Sequence, residues 1–317
     1  MLPKRASPSL LTVLALLGIA AGLVLVPAIS TGQAAGPGGP QDYLTFHNDA
    51  QRTGWYRAEK TLTPAKVKAG FGLIGSLQVP GKVYAQPLYV TNQPAKDGTT
   101  HDLVIIATAT DQLYAVDDKT DQLVWHRSFT GGGVRQQSWS DFPGNGPCFD
   151  MSPDIGITGT PVVDRALERL FVVVATKEPT GFHLRLHAIS LKDGSDVANV
   201  GPTEVTDSAT NPLVNALFNN QRAALLESKG NVYVALADHC DWNAQVTHGW
   251  LLSFSATTLQ RTGNLNSTKN NTILGTYFLG SPWMAGFGPA ADSGGNVYFT
   301  TGNGSFDGLT SFSMSVI

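Results

Sequence analysis

Short apolar runs separated by polar turns fill the chain between residues 83 and 129. Residues 103–108 form a mostly β-branched apolar run, long enough for a buried strand and too short for a helix. A strand at 86–90 precedes it and opens at a proline, where the missing N–H is tolerated. Residues 113–116 and 122–125 follow after two polar turns. The pattern predicts a four-stranded antiparallel meander, the unit from which β-propellers are built.

The same unit recurs along the chain. Leu113, Leu186 and Leu251 occupy equivalent positions in it, at spacings of 73 and 65 residues. A propeller blade needs about 40–50 residues, so the surplus is expected in loops. Loops are expected at residues 130–152, 177–182, 207–220 and 238–249, and 238–249 is the longest of those within a blade. The recurrence predicts an all-β fold, a partial β-propeller of about four four-stranded blades, at about 83–129, 159–200, 221–263 and 287–317.

The fourth repeat reaches only its third strand, at residues 312–317, so we expect this blade to be truncated. A closed propeller typically has four to eight complete blades. We therefore interpret the sequence as a fragment of a longer protein.

The N-terminus carries a targeting pattern. Lys4 and Arg5 precede an almost wholly apolar run at 10–26, and small residues follow it. We expect residues 1–35 to be a signal peptide or N-terminal anchor with the start of a spacer, and 36–40 to be a flexible linker. The protein is expected to be exported, and to contact a membrane only if this segment stays uncleaved. A net charge of −3 without a basic cluster after residue 5 argues against nucleic acid as a partner.

Residues 41–83 lie between the linker and the first repeat. Thr63 followed by Pro64 is typical of a helix start, which predicts one short helical turn at 64–69. Residues 71–79 alternate loosely between apolar and small or polar positions, as a strand does.

Three phrases carry a family resemblance: HNDAQRTGW at 47–55, TLTPAKV at 61–67 and TTGNG at 300–304. With the repeats, they resemble secreted bacterial propellers that have repeats like those of pyrroloquinoline-quinone (PQQ) enzymes, a largely uncharacterised group. The resemblance covers nearly everything after Gln41. It implies a β-propeller of quinoprotein alcohol dehydrogenase-like type, and it implies PQQ and calcium as candidate cofactors.

Blade topology predicts which loops lie together. Since successive strands run in opposite directions, the loops that open each blade share a face with those joining strands two and three. We call this the loop face, and the resemblance implies that it holds the cofactor. The sequence predicts a ligand-binding mouth there, although loops that merely close the channel would give the same pattern. The candidate ligand-binding residues are Gln86, Arg222, Trp283, Asn303 and Asp307, and the same face is expected to carry Trp139, Cys148, Asp150, Thr160, His239, Cys240, Asp241 and His248.

Cys148 and Cys240 are the only cysteines, and both fall on the loop face. In an exported protein this favours a disulfide between them. Metal ligation is the alternative, because His239, Asp241 and His248 offer further donors. Free thiols are the third.

Asn303 lies in a Thr-Gly-Asn phrase that resembles one supplying a calcium-ligating asparagine in quinoprotein alcohol dehydrogenases. A Gly-Asn-Gly turn explains the phrase equally, and one asparagine is not a calcium site. That family also uses adjacent cysteines against the quinone, which this chain lacks, and its catalytic aspartate would lie beyond residue 317. No G-x-S-x-G motif or histidine triad order is present either, so no catalytic residue is predicted.

The sequence therefore favours an exported, non-catalytic propeller that acts as a binding or scaffold module. A small molecule, a glycan or a protein would be its partner at the loop face. The first alternative is a PQQ- and calcium-dependent dehydrogenase domain. The second is a carbohydrate-binding propeller, because aromatic faces pack on sugars and four tryptophans fall near the loops, although the same residues would equally suit the core: Trp139, Trp242, Trp250 and Trp283.

Overall fold

The computed structural model describes residues 41–57, 59–73, 75–143, 151–205, 214–241, 247–269 and 278–317. Its one α-helix in these ranges is α1 (Pro64–Ala69), which confirms the helical turn expected there. The Thr63 hydroxyl caps this helix by accepting the N–H of Lys66 at 3.3 Å. Within the described ranges, no helix is long and apolar enough to span a bilayer.

The first blade is the predicted meander, with strands paired antiparallel in chain order. Its strands are β1 (Leu88–Pro94), β2 (Thr100–Thr108), β3 (Gln112–Asp117) and β4 (Leu123–Ser128).

The second blade is built on one long hairpin. Strands β7 to β10 form the blade itself, and β5 and β6 extend it. The strands are β5 (Arg135–Ser138), β6 (Asp154–Ile155), β7 (Val162–Asp164), β8 (Arg169–Glu178), β9 (Gly181–Ser190) and β10 (Thr203–Glu204).

Two loop predictions for the second blade were wrong. Residues 177–182 belong mostly to the hairpin, where Lys177 pairs with Phe182. Residues 130–152 include β5, which pairs with the end of β8, and a 3₁₀ turn at Trp139–Asp141. The edge that β8 offers to β5 lies in another part of the chain, so no local pattern marks β5 as a strand. The blade's last strand, β10, lies just beyond the expected boundary at residue 200.

The third and fourth blades follow in the expected order. Blade three consists of β11 (Asn219–Asn220), β12 (Leu226–Ser228), β13 (Asn231–Asp238), β14 (Trp250–Ser255) and β15 (Arg261–Asn266). Blade four has β16 (Ala290–Ala291) and β17 (Val297–Tyr298). Next to β17, the N–H of Phe299 donates to Ile317 O and that of Thr301 to Ser315 O, both at 3.0 Å, so residues 315–317 lie beside this strand.

The cores lie between successive blades. Alternate side chains of β8 point to opposite faces, as in any strand. Leu170, Val172 and Val174 pack with blade one, whereas Phe171 and Val173 pack with blade three. Both faces of β8 are buried for this reason, which is the arrangement that face-to-face blades require.

Blade one differs from this arrangement. The run at 103–108 was expected to be fully buried, yet Val104 and Ile106 on β2 are only half-buried. Leu103 and Ile105 on the opposite face are buried against blade two. The strand is therefore buried on one side only, because blade two covers that face.

A segment outside the repeats joins all four blades. We call residues 43–52 the hub segment. Tyr43 pairs with Tyr89 of β1, and the carbonyls of Leu44 and Ala50 accept from β7 and β16. Arg52 reaches Leu225, the residue before β12, at 2.8 Å. The hub segment is thus hydrogen-bonded to β1, β7 and β16, and to the residue just before β12.

Candidate binding mouth on the loop face

Gln86 and Thr160, which open blades one and two, are hydrogen-bonded to each other and to the start of blade three. The N–H of Gln86 donates to Thr160 Oγ1 at 2.9 Å, and the Thr160 carbonyl accepts from Leu225 N–H at 2.9 Å. The Gln86 side chain accepts the N–H of His47 at 3.4 Å. The Gln86 side chain is therefore hydrogen-bonded to the hub segment.

Arg222 is the cation of the mouth. Its Nη1 donates to Thr158 O at 3.2 Å, and its Cζ lies 5.6 Å from the centre of the Tyr84 ring. Burial lowers the pKa of Arg222, because the charged form loses solvation. No carboxylate of the described residues forms an ion pair with it. A desolvated guanidinium of this kind has free donors for an anionic group.

Aromatic side chains line the region around Arg222. Phe142, Met151 and Ile155 form a small buried cluster, and half-buried side chains pack on it: Tyr84, Trp139, Leu217, Phe218 and Trp283. The sequence predicted Trp139 and Trp283 on this face but missed Tyr84 and Phe142. Tyr84 could have been found, because it lies two residues before the Gln86 that opens blade one.

The two histidines predicted here are buried. His239 packs edge-on against Phe142, with ring centres 5.0 Å apart, and burial lowers its pKa to about 3. It is therefore neutral at physiological pH. His248 Nδ1 lies 2.5 Å from Thr268 O, and the residue bridges to Leu279. Both histidines therefore pack within the structure of blade three.

Asn303 and Asp307 are hydrogen-bonded to residues other than Arg222. Asn303 is exposed, and its amide nitrogen lies 3.2 Å from Asp241 Oδ2. Asp307 closes its own turn by accepting from the N–H groups of residues 309, 310 and 311. These bonds hold the pKa of Asp307 well below its usual range. Its carboxylate is thus committed to the hairpin between the second and third strands of blade four.

The described residues do not fit a calcium ion. Calcium takes six to eight oxygens. Among the described residues, the Asn303 side chain is hydrogen-bonded to the carboxylate of Asp241, which already accepts the asparagine amide. Among the described residues, no three His, Cys, Asp or Glu side chains form a group that could hold a metal.

Several predicted residues fall elsewhere. Trp250 is buried in the core between blades two and three, which is the alternative that the sequence left open for it. It starts β14, where its ring packs inward. Cys148, Asp150 and Trp242 lie outside the described residues. Cys240 is in a turn with φ 51° after β13, and its bridge to Cys148 stays a prediction.

No family model and no curated protein matches the chain. Among solved structures, a quinohemoprotein alcohol dehydrogenase from Pseudomonas putida HK5 is similar, with a TM-score of 0.56 and 16% identity over 83% of this chain. A europium-containing methanol dehydrogenase gives a TM-score of 0.50 and 14% identity over 74% of the chain. The chain spans about a third of their lengths, 35% and 33%. The fold is an all-β, incomplete propeller of quinoprotein alcohol dehydrogenase-like type.

Proposed function

We propose that this protein is a non-catalytic binding module whose loop-face mouth takes a flat, anionic aromatic molecule. The observation that carries the proposal is Arg222, desolvated beside Tyr84 and without a carboxylate partner among the described residues. A planar carboxylate matches a guanidinium in shape and charge, and aromatic rings pack on the walls. We also propose that the protein is exported, on the basis of residues 1–35.

Three features support binding without catalysis. The oxygen donors around Asn303 are too few for calcium. Asp307 is occupied by its own turn. His239 is neutral and packed against Phe142. None of these groups is poised to move a proton at a bound ligand.

The second candidate is a PQQ-dependent dehydrogenase, and the fold of the two similar structures favours it. The residues present fit the quinone in part. Arg222 would bind one of its carboxylates, and Trp283 and Tyr84 would pack beside its rings. A carbohydrate site is the third candidate, and it rests on Trp139 and Trp283, which both pack on the aromatic cluster.

The test uses the full-length protein and PQQ as a probe, without added metal. We expect PQQ to bind, as measured by calorimetry, and Arg222→Met to weaken its affinity at least tenfold. Arg261→Met is the matched control, because Arg261 also lies 5.6 Å from a ring centre, that of Phe254, and donates to one carbonyl. Arg261 extends from β15 and should leave the affinity unchanged.

Dye-linked oxidation of ethanol and glucose separates the two leading candidates. With PQQ and calcium added, we expect no dye reduction. Reduction that Asn303→Ala abolishes would refute the non-catalytic reading. Equal PQQ affinity in Arg222→Met and Arg261→Met would refute the position of the mouth. Tight binding of neutral oligosaccharides, lost in Trp283→Ala, would favour the carbohydrate site instead.

A further inference from the structure

The chain between the hub segment and blade one carries a large share of the exposed apolar side chains. We call residues 59–83 the connecting segment. Among the described residues, fifteen large apolar side chains are exposed, and six of them lie in this segment: Leu62, Val67, Phe71, Leu73, Leu77 and Val83. Trp55, just before the segment, is a seventh. Exposed apolar side chains that are concentrated in this way mark a site that contacts a protein or a membrane.

The connecting segment is also basic. It contains four lysines and one acid, Glu59, so its net charge is +3, whereas that of the whole chain is −3. The Glu59 carboxylate accepts the N–H of Leu62 at 2.7 Å. All the lysines are exposed: Lys60, Lys66, Lys68 and Lys82. The segment therefore presents positive charge and apolar side chains together.

These lysines lack carboxylate partners. Lys96, Lys119 and Lys177 each form an ion pair with an aspartate, whereas no lysine of the connecting segment forms one among the described residues. Lys82 donates instead to the carbonyl of Ser152. The positive charge of the segment is therefore not neutralised by the protein, and an anionic surface would be attracted to it.

The backbone of the segment limits where it can lie. Its end is fixed to blade one, because Lys82 O accepts the N–H of Ala109, in the turn between β2 and β3, at 2.9 Å. Residues 71–73 and 75–79 form no backbone hydrogen bond with the other described residues. A backbone without partners cannot enter the hydrocarbon core of a bilayer. It can lie among the headgroups, where water reaches it, while its side chains reach the acyl boundary.

Trp55 and Arg57 extend the same pattern. Trp55 is exposed, and Arg57 Cζ lies 4.5 Å from the centre of its ring. Tryptophan is enriched at membrane–water interfaces, because its ring is amphipathic. A guanidinium matches a phosphate in charge and geometry.

We propose that the connecting segment, with Trp55 and Arg57, is a surface that binds membranes containing anionic lipids. The ammonium groups bind headgroup phosphates, and Phe71, Leu73 and Leu77 insert at the boundary with the acyl chains. Lysines interleaved with large apolar side chains fit a partner that is anionic at its surface and apolar just beneath it. This contact does not depend on the N-terminal segment, which was the only membrane contact expected from the sequence, nor on a ligand at the loop face.

The experiment measures binding of the full-length protein to large vesicles of equal parts phosphatidylglycerol and phosphatidylcholine. Cosedimentation in about 0.1 M NaCl, where charges still attract over about 10 Å, gives the partition coefficient. We expect the double variant Phe71→Ser/Leu73→Ser to lower this coefficient by about tenfold or more, because it removes the inserting side chains. Lys66→Gln/Lys68→Gln should lower it by a similar factor.

The matched control is Phe306→Ser/Leu309→Ser, which should leave the partition coefficient unchanged. Both side chains are exposed, and Leu309, at 83%, is close to Leu73, at 87%. They differ in their surroundings, because residues 270–317 contain no lysine or arginine.

A second measurement locates the contact, because an uncleaved N-terminal segment would also bind lipid. Anionic vesicles should slow trypsin cleavage after Lys66 and Lys68 about fivefold, and vesicles of phosphatidylcholine alone should not. The protection should be lost in Phe71→Ser/Leu73→Ser and kept in Phe306→Ser/Leu309→Ser.

Three results would overturn the proposal. The first is an equal partition coefficient in Phe71→Ser/Leu73→Ser and its control, or no binding by the wild type. The second is cleavage after Lys66 that anionic vesicles do not slow, which would place any lipid contact elsewhere. The third is a dimer in lipid-free buffer that Phe71→Ser/Leu73→Ser dissociates, which would assign the segment to a second copy of the chain. Circular dichroism should be unchanged in every variant, because the substituted side chains are exposed.

Discussion

The hub segment (43–52) and the connecting segment that follows it (59–83) are close in sequence, yet they differ in the burial of their large side chains. In the hub segment, Phe46 and Arg52 are both buried. In the connecting segment, Phe71 is 72% exposed and Leu73 is 87% exposed. Both stretches stand outside the repeats, and the apolar fraction is the same in each, 4 of 10 residues in the hub segment and 10 of 25 in the connecting segment. Hydrophobic content alone therefore does not decide which one is buried.

Backbone partners explain the difference. Tyr43, Leu44 and Ala50 each form a main-chain hydrogen bond with the first strand of a blade. Residues 71–73 and 75–79 form none with the other described residues. An unpaired backbone group is costly to bury, so a segment without partners stays in water even where its side chains are apolar. The strand expected at 71–79 was wrong for this reason: the alternation is present, but no sheet edge pairs with it in the described chain.

Removing the Arg52 guanidinium should have the largest effect on stability. It donates to the carbonyls of Phe46, Leu225 and Pro289 and to the Thr45 hydroxyl. Each carbonyl left without a donor costs about 1–3 kcal/mol. We expect Arg52→Met to lower the free energy of unfolding by about 4 kcal/mol in a urea titration. Arg57→Met is the control, because Arg57 is exposed over Trp55 and should cost under about 1 kcal/mol. Equal losses would contradict the comparison.

Truncating a hub phenylalanine should have the next largest effect. The Phe46 ring stacks on His47 at 4.3 Å and meets Phe287 edge-on at 5.4 Å. Phe46→Ala leaves a cavity and should cost about 3 kcal/mol, also measured by urea unfolding. Phe71→Ala removes a ring that is already in solvent, so the midpoint should not change. A loss in Phe71→Ala as large as in Phe46→Ala would show that the connecting segment packs in solution.

The repeats could be predicted because each strand has its pattern within a few residues. Leu113, Leu186 and Leu251 were aligned from the sequence, and each lies on the third strand of its blade. They pair with Ala107, Val173 and Ala235 of the second strands. Apolar runs bounded by turns are local signals, so the strands can be recognised without knowledge of the fold.

The interactions between distant parts of the chain could not be predicted. In the sequence, Arg52 looks like an ordinary charged loop residue, because its hydrogen-bond partners lie up to 237 positions away. Blade topology predicted that Gln86 and Arg222 share one face, and a binding mouth on that face stays a prediction. Tyr84 and Phe142 were missed, and the position of Trp250 was left open, because these positions depend on how side chains pack between blades.

Asp111 is the opposite case to Arg52: it is a buried ionisable side chain without a well-formed hydrogen bond among the described residues. Neither carboxylate oxygen has such a bond, and the nearby N–H groups of Ile157 and Ala175 offset only part of the cost of burial. Burial raises the pKa of Asp111 well above its usual range. In the unfolded chain the Asp111 carboxyl ionises near pH 4. Because the folded protein binds this proton more tightly, the free energy of unfolding is highest below that pH and falls as the pH rises.

We therefore expect Asp111→Asn to stabilise the protein by about 2 kcal/mol at pH 7, because it removes a buried charge without changing the shape. The gain should shrink toward zero at pH 4 and below, where the wild-type carboxyl is protonated in both states. Thermal unfolding of both proteins across this range measures it. A variant that is less stable than the wild type at pH 7 would mean that the Asp111 carboxylate has a partner after all.

The smallest effect is expected from the connecting segment itself, and it should appear in access rather than in stability. Lys60, Lys66 and Lys68 are exposed, whereas Arg52 is buried and hydrogen-bonded. A protease needs several residues of accessible backbone that can become extended. The single turn of α1, which carries Lys66 and Lys68 and has no buried residue, can unfold locally to provide them, whereas the hydrogen-bonded hub segment cannot. Brief trypsin treatment should cut after these lysines first and leave Arg52 intact until the protein unfolds. Leu73→Ser should leave both the cutting pattern and the unfolding midpoint unchanged. Cleavage after Arg52 as fast as after Lys66 would place the two segments in the same class, and the contrast drawn from their backbone bonds would fail.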